Sequence, residues 1–187
     1  VTDPVILNDP AYEFAYQALS CLQVNYPVSG FIPGEFCVRV GTTVTYDVDM
    51  FRDQCCTGLG YVALGDTYPT SESFPEADIV RQARAVCPPV TWGQQLKVGI
   101  IRCIPTVLDD LGTMPSCDDW ETAFQKGVAD IIALRRMSCC LRTWLTGQTG
   151  NLLGMSLVIE RQLQGTPQGG CVERSVTLTL QQPNCDC

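Results

Sequence analysis

The stretch Cys-Val-Glu-Arg-Ser-Val-Thr-Leu-Thr-Leu-Gln-Gln, residues 171–182, constrains the fold more than any other. Val172, Val176, Leu178 and Leu180 fall on one side of an extended chain, and Glu173, Ser175, Thr177 and Thr179 on the other. A period of two marks a β-strand with one face on a core. A slip of one residue would turn every apolar group outward, so the register is strongly specified. A strand of this kind needs a neighbour. Residues 156–164, Ser-Leu-Val-Ile-Glu-Arg-Gln-Leu-Gln, precede it across Gly-Thr-Pro-Gln-Gly-Gly, and the pair reads as a hairpin.

The rest of the chain supplies what that hairpin must pack against. Asp9 is a good N-cap, Pro10 suits the first helical position and Glu13 complements the helix dipole, which predicts a helix from about Asp9 to Asn25. Tyr12, Ala15, Tyr16, Leu19 and Leu22 are its expected apolar stripe. Strand patterns follow at 36–40, at 44–49, where Val44, Tyr46 and Val48 alternate with Thr45, Asp47 and Asp49, and at 58–69. Residues 69–91, punctuated by Pro69, Pro75, Pro88 and Pro89, form a long excursion with a possible short helix at 76–86. The sheet resumes at 95–103, with Leu96, Val98 and Ile100 on one face. Ser116 and Asp119 make a capping box for a long helix reaching about Trp144. Its stripe of Trp120, Phe124, Val128, Ile131, Leu134, Met137 and Leu141 is expected to face the core. These elements predict one α+β domain over 1–187: a mixed, mainly antiparallel sheet with two helices packed on one face.

Twelve basic against twenty acidic residues, a net charge of −8, argue against a protein that grips nucleic acid by its phosphates. Histidine is absent, which removes the commonest general base and metal ligand. No apolar stretch is long enough to span a bilayer, so no membrane insertion is expected. Twelve cysteines occur without any Cys-x-x-Cys pair, so a mixture of buried thiols and a few disulfides is expected rather than a zinc ribbon. Cys139 and Cys140 point about 100° apart on a helix and should serve different purposes.

Enzymatic readings find little to work with. Asp109–Asp110 reads as a loop, and Asp118–Asp119 sits at a helix N-terminus where acids stabilise the dipole. The Gly-Thr-Pro-Gln-Gly-Gly turn lacks the Lys-Ser/Thr of a phosphate loop. The Cys185-Asp186-Cys187 tail reads as an anchored or stapled end. No catalytic, cofactor or metal site is expected.

Several landmarks occur in a telling order: Tyr68-Pro69, Phe74-Pro75, Arg102-Cys103-Ile104-Pro105, a long helix, then Gly169-Gly170-Cys171. In order and spacing, from about Tyr12 to the C-terminus, the chain resembles the cysteine-rich head-to-tail connector proteins of long-tailed actinobacteriophages. It departs from them at Tyr61-Val62-Ala63-Leu64, where the family often has Trp-Val-Arg-Leu, and at the vicinal pair Cys55-Cys56. The resemblance implies a tail-terminator-like fold and a virion protein of the neck, assembled in the host cytoplasm. It implies a homo-oligomeric ring, a hexamer, that caps the tail tube, ends its growth and docks onto the head-completion (stopper) ring. Its partners would be the major tail tube protein, the stopper and passing double-stranded DNA that is not specifically bound. Another neck ring (stopper or adaptor) is the alternative within that class, and a secreted disulfide-rich binding domain is the alternative outside it. Under the ring reading, Asp47, Asp49 and Asp53 are candidates for the DNA channel wall, where acids would repel phosphates. Ser71, Phe74, Arg81 and Arg84 are candidates for an inter-subunit loop.

Overall fold

The structure, a computed structural model, describes residues 9–41, 57–70, 74–77, 91–105, 114–148, 155–167 and 170–183. Helix α1 spans Pro10–Val24 and helix α2 Cys117–Thr146. The strands are β1 (Glu35–Val40), β2 (Leu59–Thr70), β3 (Thr91–Cys103), β4 (Ser156–Gln164) and β5 (Cys171–Pro183). They form one sheet in the order β1-β2-β3-β5-β4. Only β1–β2 is parallel among these pairs, and the other three are antiparallel. The fold is therefore α+β with a mixed, mainly antiparallel sheet, as the periodicities predict. The expected strand at 44–49 and the short helix at 76–86 fall on residues outside the described set, all but Glu76 and Ala77 of the latter.

Both helices lie on one face of the sheet, α1 over β1–β3 and α2 over β3, β5 and β4. The core between the layers joins Phe14, Ala18 and Leu22 of α1 to Leu134, Met137 and Leu141 of α2. Beneath them lie Val62, Leu96, Val98, Ile100, Val176, Leu178 and Leu180. The alternation read at residues 172–180 is the observed one. Its polar face is covered as well, because Ser175 and Thr179 are buried, and Leu59, Tyr61, Ala63 and Ile101 form a second, smaller apolar cluster on that side.

Cross-strand glycines lock the register on both faces. Tyr61 lies opposite Gly99, and a Cβ on Gly99 would sit 2.6 Å from the Tyr61 hydroxyl oxygen. The same ring-over-glycine pairing joins Phe36 to Gly60 and Tyr68 to Gly93.

The caps are those read from the sequence. The Asp9 carboxylate accepts from the Ala11 amide at 2.7 Å, and Ser116 and Asp119 complete a reciprocal capping box. The hydrogen bonds from Ser116, first from its side chain and then from its backbone, hold the Asp119 carboxyl below its ordinary range. One expectation for α1 is corrected. Phe14, Ala15, Ala18, Cys21 and Leu22 are its buried residues, while Tyr16 is 48% exposed. Tyr16 lies about 160° round the helix from the buried Ala18, and so faces solvent.

The two helices are joined covalently by Cys21–Cys140, with Cα atoms 5.8 Å apart and 119 residues between them in sequence. A native disulfide of this kind contributes about 2–5 kcal/mol. Cys139, its vicinal neighbour, is an exposed free thiol, so the two adjacent cysteines do serve different purposes. Cys103 and Cys171 are disulfide-bonded too.

Candidate functional site

Beneath the middle of α2 lies a buried polar cluster. Asp130 has no exposed surface, and Arg102 of β3 is almost as deeply buried. The Arg102 guanidinium donates through Nε to both Asp130 oxygens, at 3.2 and 3.3 Å, and through Nη2 to Oδ1 at 2.9 Å. Nη2 also donates to the Tyr26 hydroxyl oxygen at 2.7 Å and to the Phe31 carbonyl. The Tyr26 hydroxyl in turn donates to Asp130 Oδ1. Arg174 of β5 approaches from the far side, Nη1 standing 3.6 Å from Asp130 Oδ2.

Two glycines make room for these guanidinia. Gly58 has φ +88°, and a Cβ there would meet Arg102 Nη1 at 2.6 Å. A Cβ on Gly127 of α2 would meet Arg174 Nη2 at 2.4 Å. Burial, followed by the neighbouring Asp130 charge, holds the Tyr26 hydroxyl protonated well above the usual phenol range. Burial alone would weaken the proton on Arg102, but the Asp130 hydrogen bonds and charge outweigh it, and the guanidinium is held above its usual range. A neutral hydroxyl, a carboxylate and two fixed cations in this setting make a structural clasp between α2, β3, β5 and the turn that follows α1. Breaking a buried, hydrogen-bonded pair of this type costs about 3–5 kcal/mol.

The sequence landmarks come together in space, in two pairs. At one end of the sheet the Tyr68 hydroxyl donates to the Pro75 carbonyl at 2.6 Å, and Thr70 Oγ1 donates to the Glu76 carbonyl at 2.9 Å. Tyr68-Pro69 and Phe74-Pro75 are thus parts of one corner. At the other end Cys103 and Cys171 are register partners, and the Ile104 amide donates to the Gly170 carbonyl at 2.9 Å. Arg102 inside the Arg-Cys-Ile-Pro run is the same arginine that clasps Asp130.

Of the proposed channel residues, Asp47, Asp49 and Asp53 lie outside the described residues, as do Ser71, Arg81 and Arg84 of the proposed loop. Phe74 is described. It is half-buried, joined to Pro75 by a cis peptide, in the corner held by Tyr68 and Thr70. Asp109–Asp110 and the Cys185-Asp186-Cys187 tail also lie outside the described set. Among the described residues no group of three or more His, Cys, Asp or Glu side chains is placed to hold a metal ion. Nor is any helix among them long and apolar enough to cross a membrane.

The expectation for α2 needs correction. Leu134, Met137 and Leu141 are buried, but Trp120 is 49%, Phe124 70% and Val128 39% exposed. The residue spacing does not carry this signal. At 100° per residue Trp120 and Phe124 lie only about 40° and 80° round the helix from Leu134, so their spacing is that of a core stripe, and their exposure depends on what lies beneath the first turns. The first half of α2 therefore presents an apolar ridge flanked by exposed Asp119 and Glu121. No known family matches the chain, and no curated protein matches it either.

Proposed function

We propose that the chain is a structural protein of a bacteriophage neck, a tail terminator. Its copies would form a ring, a hexamer by the resemblance, that caps the tail tube, ends its polymerisation and joins it to the stopper ring, leaving a channel for DNA. The observation that carries this reading is the pairing of the landmarks. Motifs that share only an order along a chain can do so by chance, whereas motifs that touch across a sheet are constrained together. Arg102-Cys103 and Gly170-Cys171 are constrained in this way, and Tyr68-Pro69 and Phe74-Pro75 are joined locally in one corner. The α+β frame with both helices on one face agrees with the fold the resemblance implies. An acidic chain suits a conduit through which DNA passes without being held.

One observation favours a second reading, a secreted disulfide-rich binding domain. Cys21, Cys140, Cys103 and Cys171 are all in disulfides, a state that an oxidising medium preserves. A virion released into such a medium would meet the same chemistry. Electron microscopy with an antibody to the chain separates the two. Label at the head–tail joint of long-tailed particles is the expected result. Label absent from such particles, with the chain recovered as a stable monomer from culture medium, would overturn the neck reading.

A further inference from the structure

Helix α2 carries two features that fit one another but cannot meet within one chain. The first is the aromatic ridge, Trp120 and Phe124, with Asp119 and Glu121 beside it. The second is a recess of about 320 Å³ between the later turns of α2 and the sheet. Val176 and Ile159 give it an apolar lining, and the exposed Arg135 and Arg142 stand at its margin. Glu160 also lines it. Phe124 and Arg142 are separated by about 27 Å along the helix axis at 1.5 Å per residue, so the ridge cannot fill its own recess.

We propose that a second copy of this chain fills it, the Trp120–Phe124 ridge of one protomer seated in the Arg135/Arg142 recess of the next. The charges select this occupant. Asp119 and Glu121 flank the ridge, and Arg135 and Arg142 line the recess, so α2 changes sign along its length. A second copy brings acid to base and an aromatic face beneath arginine, a pairing that planar guanidinium groups favour. An aromatic side chain anchored in a pocket with a charged margin is the usual form of an interface hot spot. Ridge and recess are different surfaces, so the contact is head-to-tail and passes from copy to copy. This deepens the ring reading and rests on it only for the closure of that succession into a ring.

Two variants of the full chain test it, Trp120→Ser/Phe124→Ser without the ridge and Arg135→Glu/Arg142→Glu without the recess charges. Their folding is checked by thermal unfolding, with Phe124→Glu alone as a milder ridge variant. In analytical ultracentrifugation the wild type should associate beyond two copies. Each variant alone should associate about 30-fold or more weakly, the scale of losing a hot-spot anchor. Mixed together, the two should recover a one-to-one pair and nothing larger, because one ridge and one recess remain intact. A wild type that stays monomeric up to millimolar concentration, or stops at two, overturns the proposal. So do variants that associate as the wild type does, or a mixture that stays monomeric. Rings at the head–tail joint built equally well by both variants would remove this contact and leave the neck reading standing. Wild-type association by this contact in a chain absent from virions would do the reverse.

Discussion

From the middle of α2 onward, Leu134, Met137 and Leu141 have essentially no exposed surface, Asp130 is clasped by Arg102, and Cys140 is tied to α1. In the first half, Trp120, Phe124 and Val128 continue an apolar stripe into solvent. The helix is continuous through both, and its capping box lies in the exposed half. Helix formation and helix burial are thus decided separately. Local chemistry at Ser116 and Asp119 starts the helix, and the sheet beneath decides how much of it is covered. The buried half serves the stability of this chain. The exposed half has apolar surface still to be covered, which is what a chain built to assemble would carry.

The sharpest challenge to this contrast is Asp130→Ala, which strands the buried Arg102 guanidinium and the half-buried Arg174 and should cost about 3–5 kcal/mol in denaturant unfolding. A loss under 1 kcal/mol would mean that the clasp is not closed in solution. Leu141→Ala should cost about 2–5 kcal/mol by opening a cavity beside Phe14 and Met137. Equal stability to wild type would contradict its place in the core.

Tyr26→Phe sharpens the picture through pH. The mutation removes the Tyr26 hydrogen bonds to Arg102 and Asp130 and should cost about 1–3 kcal/mol at neutral pH. In the wild type the unfolded chain releases the Tyr26 proton near its ordinary value of 10.0, while the folded chain keeps it. Above that pH the unfolded state binds fewer protons, so stability falls as pH rises. Urea unfolding above pH 10 should therefore show a shallower alkaline decline in the variant. Parallel declines would count against a buried, protonated Tyr26. The smallest effect belongs to the exposed half. Phe124→Ser should change monomer stability by no more than about 0.5 kcal/mol, since its side chain touches solvent. A loss comparable to that of Leu141→Ala would show that the two halves are alike after all.

What could be read in the sequence was whatever is decided locally. The N-cap of α1, the capping box of α2, the 156–164/171–182 hairpin and the two faces of β5 all depend on residues a few places apart. The orientation and cover of each helix depend on partners far away: Trp120 lies only about 40° round α2 from the buried Leu134, so spacing alone places it on the core stripe, and nothing local says that it is exposed. The clasp was wholly hidden. Tyr26, Arg102 and Asp130 are separated by 76, 28 and 104 residues pair by pair, and each alone reads as an ordinary polar residue. Gly58 and Gly127 have the same cause, since nothing in the sequence says that an arginine passes beside them. The divergence of Cys139 and Cys140 was legible, because adjacent helical residues must face apart.

Thr70 and Thr91 are register partners at the end of the β2–β3 pair, with Thr91 Oγ1 donating to the Thr70 carbonyl at 2.7 Å. The two ends of the segment between them are therefore fixed side by side, as a closed gate. Doubling the length of a segment whose ends are already fixed adds only about 0.6 kcal/mol of closure entropy. Sequence inserted between two ends held in this way need not disturb the β2–β3 register. The gate is accordingly a place where a tag or a foreign epitope can be grafted onto the protein at small cost in stability.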